Sequence, residues 1–184
     1  MKIALIILLV IVVLIALYFI STYNILVSLR NKVKDQWSQI DVVLKNRNDL
    51  IPNIVETVKG YAKHEKDTLD AVIEARSKAV SAATKDDEIK ASGEVTQALG
   101  RLFALAESYP ELKANTNFLD LQNKLNEIEE KIRYARQFYN DSVLTYKNKI
   151  EMFPSNIVAG MFNFKPEVFF EATEEERKNV QVKF

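Results

Sequence analysis

The sequence predicts an all-α protein, with an N-terminal transmembrane helix continuing into an elongated antiparallel up-down four-helix bundle and a Phe-rich C-terminal segment. Three observations predict it. The first twenty positions form an apolar run whose only charged side chain is Lys2. Glycine and proline number only four each in 184 residues, so long stretches lack turn punctuation. Beyond the apolar run, hydrophobic side chains recur in steps of three and four. The boundaries that follow are an anchor over residues 1–23, a bundle body over 24–153 and a final segment over 154–184.

Residues 3–20, IALIILLVIVVLIALYFI, carry no charge and no strongly polar side chain. At ~1.5 Å per residue they make roughly 27 Å of helix, close to the ~30 Å hydrocarbon core. Tyr18 and Tyr23 suit the interface at the exit end. A cleaved signal peptide would have a shorter apolar run ending in small residues, whereas this one ends in Tyr18-Phe19-Ile20, so a retained single-pass anchor is expected. Lys2 and the amino terminus precede the run; Arg30, Lys32 and Lys34 follow, with Asp35 among them. The positive-inside rule leans toward a cytoplasmic body with the N-terminus outside, the reverse orientation being the alternative.

Leu26, Leu29, Val33, Trp37, Ile40 and Leu44 trace one stripe of the first body helix, with no Gly or Pro separating it from the span. The second helix is expected to open at Asn48-Asp49 with Pro52 in its first turn, folding the chain back toward the membrane. Its stripe runs through Ile51, Val55, Val58, Ala62, Leu69, Val72, Arg76 and Val80. After a break at residues 81–87, a shorter helix carries Ile89, Val95, Leu99, Leu102, Phe103 and Ala106 and ends near Tyr109-Pro110. The fourth is the most regular. Phe118, Leu121, Leu125, Ile128, Ile132, Ala135, Tyr139, Ser142, Tyr146 and Lys149 keep a coiled-coil-like rhythm up to Phe153-Pro154. Residues 152–184 hold Phe153, Phe162, Phe164, Phe169, Phe170 and Phe184, six of the ten phenylalanines. Folding back to complete the core is the favoured role of these rings, and docking against a neighbouring subunit, another protein or the bilayer is the other. Phe162, Phe164, Phe169 and Phe170 are the packing or docking candidates.

The 25 basic and 25 acidic side chains cancel, so there is no electrostatic footprint for nucleic acid. With no cysteine, thiol catalysis, disulfides and Cys-based zinc sites are excluded. His64-Glu65 invites a zinc-protease reading, but H-E-x-x-H needs a second histidine and the chain has one. Asp86-Asp87 and Glu129-Glu130 read as solvated pairs, since adjacent helical side chains diverge by about 100°. No nucleophile elbow or phosphate loop is present. No catalytic residue, cofactor or metal site is therefore expected.

Glu65 and Arg76 sit on or beside an apolar stripe, where a charge must be paired or hydrogen-bonded. Asp41, Tyr139 and Asn140 are their expected interhelical partners, with Tyr61 and His64 adding polar contacts. Gly60, costly within a helix at about 1 kcal/mol relative to alanine, is explained by close approach of another helix or subunit. Gly93 and Gly100, seven apart, invite the same account.

Residues 23–76, YNILVSLRNKVKDQWSQIDVVLKNRNDLIPNIVETVKGYAKHEKDTLDAVIEAR, closely resemble the signature of the LemA family. So do YARQFYNDSVLTYKNKIEMFPSNIVAGMF and FKPEVFFEA further on. The resemblance covers almost the whole chain; one departure is Lys45-Asn46-Arg47-Asn48, where members often read as more basic. It implies a single-pass bacterial inner-membrane protein with a helical-bundle body, its short N-terminus generally taken as the outer end. It carries over no catalytic residues, and a relative associated with magnetosome membranes points to membrane organisation. The expectation is a non-enzymatic scaffold, homo-oligomeric or recruiting a membrane or peripheral protein, with lipid contacted through residues 3–20. A sensor or adaptor relaying a signal through its bundle is the alternative.

Overall fold

The computed structural model describes residues 1–62 and 64–171. It is all-α, with six helices and no strand among those residues. They are α1 (Lys2–Tyr61), α2 (Lys66–Ser81), α3 (Lys85–Ala106), α4 (Pro110–Lys113), α5 (Thr116–Glu151) and α6 (Ser155–Met161). Residues 1–38 and 137–169 form one compact unit; residues 39–136, joined by Phe170, form another.

In the first unit, residues 3–17 of α1 are exposed on every face, and α1 is a helix long and apolar enough near its N-terminus to cross a membrane. Burial begins at Thr22 and continues at Leu26 and Val33. In the same unit, Tyr139, Val143 and Tyr146 of α5 and Val158 and Ala159 of α6 are buried, as is Phe164. The turn from α5 to α6 is closed by Ser155, whose Oγ lies 2.7 Å from the carbonyl of Lys149 and 2.9 Å from that of Met152. A hydroxyl there serves carbonyls that the end of a helix leaves without donors.

The second unit has a continuous apolar core. Ile51, Ile54, Val55 and Val58 of α1 meet Leu69, Val72 and Ala75 of α2, Val95, Leu99 and Leu102 of α3, and Phe118 and Leu125 of α5. Local chemistry starts several of the helices. Thr84 caps α3 by accepting from the Asp87 amide at 3.2 Å, with Asp86, Asp87 and Glu88 favourably placed in the positive first turn. Pro110 occupies the first turn of α4. Asn115 Oδ1 accepts from the Phe118 amide at 3.0 Å at the head of α5.

One expected boundary is wrong. No helix begins at Asn48-Asp49: α1 runs through Pro52 to Tyr61, and the next helix starts at Lys66. The carbonyl that Pro52 cannot serve finds another donor, described below. The glycine account also needs correction within the chain. Among the described residues, a Cβ added at Gly60 or Gly100 would meet nothing within 4 Å, so neither glycine admits a described neighbouring helix.

Candidate functional site

The most elaborate polar site lies in the second unit, where α1, α2 and α3 enclose a cleft of about 410 Å³. Asp41, Arg47, Asn48, Arg76, Glu88 and Ser92 are among its lining residues. Three features build it.

The first is Arg47, only 1% exposed. It falls three residues after Leu44 and four before Ile51, both buried, and so occupies a core position. Its Nη1 donates to Thr96 Oγ1 at 3.0 Å and Glu129 Oε1 at 3.2 Å. Its Nη2 donates to Ser92 Oγ at 2.9 Å and the Ser92 carbonyl at 3.2 Å. The planar guanidinium can fork in this way where an ammonium cannot, so one side chain ties α1 to α3 and α5.

The second is the proline turn. Pro52 has no N–H for the carbonyl of Asn48 four residues back. Arg76 of α2 supplies the missing donor, with Nε 2.8 Å from Asn48 O. The helix interruption that Pro52 threatens is thereby offset by a charged hydrogen bond from the neighbouring helix.

The third is an unsatisfied edge. Asn48 Oδ1 and Glu88 Oε2 are buried polar atoms with no partner among the described residues. Burial pushes the Glu88 carboxyl above its ordinary pKa, and the nearby Asp41 charge adds to the rise while Lys85 opposes it.

The residues singled out from sequence are dispersed. Asp41 and Arg76 share the cleft. Glu65, at the head of α2, instead accepts from the Tyr109 hydroxyl at 3.0 Å, a bond that raises the Tyr109 pKa. Tyr139 belongs to the first unit, where its hydroxyl donates to Val168 O at 2.7 Å and its ring meets Trp37 edge-on at 5.1 Å. Asn140 is half-buried in the same unit. The expected partners of Glu65 and Arg76 are therefore replaced by Tyr109 and a backbone carbonyl. Tyr61 OH accepts from Asn115 Nδ2 at 2.8 Å, while His64 is exposed in the α1–α2 break.

Of the C-terminal phenylalanines, Phe164 and Phe170 are buried, with the Arg30 and Arg136 guanidinium carbons 5.0 and 4.4 Å from their respective ring centres. Phe169 is half-buried under Lys147, and Phe162 is exposed but 4.7 Å from the Tyr23 ring. Phe184 lies outside the described residues.

Sequence reasoning missed Arg47, Ser92, Thr96 and Glu88, and read Glu129 as wholly solvated. The available signal was a single arginine in phase with Ile40, Leu44, Ile51 and Ile54. No group of three or more His, Asp or Glu side chains capable of holding a metal occurs among the described residues.

With this architecture in view, residues 36–184 match the model of the LemA family. The chain belongs to the LemA family. Its relatives include Protein LemA of Metamycoplasma hominis, 26% identical over 163 residues that cover 88% of this chain and 74% of that protein. Magnetosome protein MamQ 2 of Paramagnetospirillum magneticum is 26% identical over 194 residues, covering 89% and 71%. Magnetosome protein MamQ of Magnetospirillum gryphiswaldense is 25% identical over 182 residues, covering 83% and 67%. Residues 36–184 leave the apolar start of α1 outside the LemA match but include Arg47, Pro52, Arg76 and the cleft.

Proposed function

We propose that this LemA-family protein is a non-enzymatic, single-pass scaffold of the bacterial membrane that self-associates or recruits partners there. The observation that carries this reading is α1 itself. An uncharged stretch, exposed on every face over residues 3–17, continues without a helix break into the residues that organise the second unit. Exposing such a surface to water is unfavourable, whereas lipid accepts it. Anchoring confines the bodies to two dimensions and raises their effective concentration, so weak lateral contacts suffice for assembly. Ile73 and Val80, about two turns apart on α2 and both more than half exposed, offer such contacts. Kinship with proteins named for magnetosomes supports membrane organisation as the setting. The charge count around the span favours a cytoplasmic body.

Cross-linking and electron microscopy of the full chain at high density in membranes test the assembly. Oligomers are expected, and strictly monomeric protein would overturn the scaffold reading. Protease accessibility of the C-terminus in intact cells and inverted vesicles tests the orientation.

The cleft favours a second reading, a membrane-tethered sensor or adaptor. Its unengaged Asn48 Oδ1 and Glu88 Oε2 present acceptors to a small hydrogen-bond donor. Native mass spectrometry of the purified protein separates the two readings: a retained small molecule lost on Asn48→Leu favours the sensor.

A further inference from the structure

We propose that the α5–α6 turn and the outer face of α6 enter the bilayer beside the apolar part of α1, forming a second membrane element that does not span. This rests on the reading of α1 as a membrane anchor.

The sequence permits it. No charged side chain occurs between Glu151 and Lys165. The fold then sorts that segment by face. Ser155, Val158 and Ala159 turn inward and are buried. Met152, Phe153, Ile157 and Met161 turn outward, exposed by 63, 79, 49 and 66%. Ser155 is occupied by the carbonyls at the end of α5, so the turn's hydroxyl needs no water. An aqueous surface would leave this apolar cluster unfavourably hydrated.

The location of the cluster identifies what covers it. Pro154 and Ile157 line one apolar cleft, of about 330 Å³, together with Leu14, Ile15, Tyr18 and Phe19 of α1. These four residues lie in the uncharged run 3–20 of α1, the helix long and apolar enough to cross a membrane. Leu14 lies six residues before Ile20, or about 9 Å along a helix. A span that places Ile20 at the edge of the hydrocarbon therefore carries Pro154 and Ile157 down to that boundary or below it. Interfacial elements seat their apolar faces at such a depth, ~5–10 Å into the headgroup and acyl boundary. Phe153, in the turn, carries the most exposed ring of the segment into the same layer. Acyl chains are the one occupant continuous with the surroundings of α1.

The absence of native cysteine makes the test direct. Single variants Phe153→Cys, Ile157→Cys, Leu8→Cys and Lys131→Cys are labelled with an environment-sensitive nitrobenzoxadiazole dye. Each full-length chain is reconstituted at low density in vesicles of phosphatidylcholine and phosphatidylglycerol, with and without acyl-chain nitroxide lipids. Unchanged helical circular dichroism checks the fold of each. The dye at positions 153, 157 and 8 is expected to emit at shorter wavelength and lose intensity to the nitroxides, whereas at 131 it does neither. Quenching at 8 without quenching at 153 and 157 overturns the inference and leaves the anchor standing. A blue shift at 153 without quenching means that protein, such as a second copy, covers the turn, and also overturns it. No quenching at 8 defeats the anchor reading, and this inference with it.

Discussion

Replacing Arg76 by methionine should weaken the fold through a backbone carbonyl on another helix, and chiefly while Pro52 is present. Arg76 Nε lies 2.8 Å from the carbonyl of Asn48, which lacks its helical donor because residue 52 is proline. A hydrogen bond from a charged donor contributes about 1.5–3 kcal/mol, and methionine keeps most of the aliphatic length that Arg76 packs with. Arg76→Met alone should therefore cost about 2 kcal/mol. Pro52 is exposed, so Pro52→Ala disturbs little packing, and the alanine amide would restore the N–H to Asn48 O. In that background Arg76→Met should cost about 1 kcal/mol or less, because the carbonyl no longer loses its only strong donor. The double-mutant coupling is then about 1–2 kcal/mol. Urea unfolding of the four full-length proteins in nonionic detergent, followed by far-ultraviolet circular dichroism, measures it. Equal costs of Arg76→Met in both backgrounds would refute the substitution of side chain for backbone donor.

Other positions yield sharper contrasts. Arg47→Ala empties a site 1% exposed and takes a donor from Ser92 Oγ, Thr96 Oγ1 and the partly exposed Glu129, so a loss of roughly 2–4 kcal/mol is expected in the same unfolding assay. Glu88 is held above its ordinary pKa chiefly by burial, so the folded protein keeps a proton that the unfolded chain releases. Stability should fall as pH rises from the ordinary glutamate range through the raised value, and Glu88→Gln should flatten that part of a melting-temperature profile. Tyr146 buries a hydroxyl with no partner among the described residues, whereas the Tyr139 hydroxyl donates to Val168 O. Tyr146→Phe should raise the melting temperature and Tyr139→Phe lower it, each by an effect of about 1 kcal/mol.

The helical class was legible because it rests on periodicity, which survives in any one sequence. The register of α5 from Phe118 through Ile132 to Tyr146 reappears as a line of buried residues. The end of the first helix was not legible. Asn48, Asp49 and Pro52 form a plausible helix start by local rules, yet the structure carries α1 through them. Local preference lost because Ile51, Ile54, Val55 and Val58 continue the stripe of Leu44, and because Arg76, distant in sequence, repairs the proline defect. The cleft was hidden for the same reason. Arg47, Arg76 and Glu129 read individually as charges near a helix face, and only the packing of α1, α3 and α5 reveals Arg47 as interior.

The placement of Arg47 also answers a problem created by the regularity of α1. Leu44, Ile51 and Val58 are buried at intervals of seven, and so are Ile40 and Ile54 at twice that interval. Apolar contact is nondirectional, so a slip of α1 by one heptad would return similar side chains to nearly the same surroundings. Arg47 sits midway between Ile40 and Ile54, and it alone in that series requires hydrogen-bonding partners. Slipping would drive the guanidinium into an isoleucine site and bring an isoleucine against Ser92, Thr96 and Glu129. Both halves of that exchange are penalised, one by an unpaired buried charge and the other by unsatisfied acceptors. Pro52 adds a second mark on the same helix, because only one register sets the carbonyl of Asn48 beneath Arg76. The polar interior of the second unit therefore selects one alignment among several that the apolar stripe alone would accept.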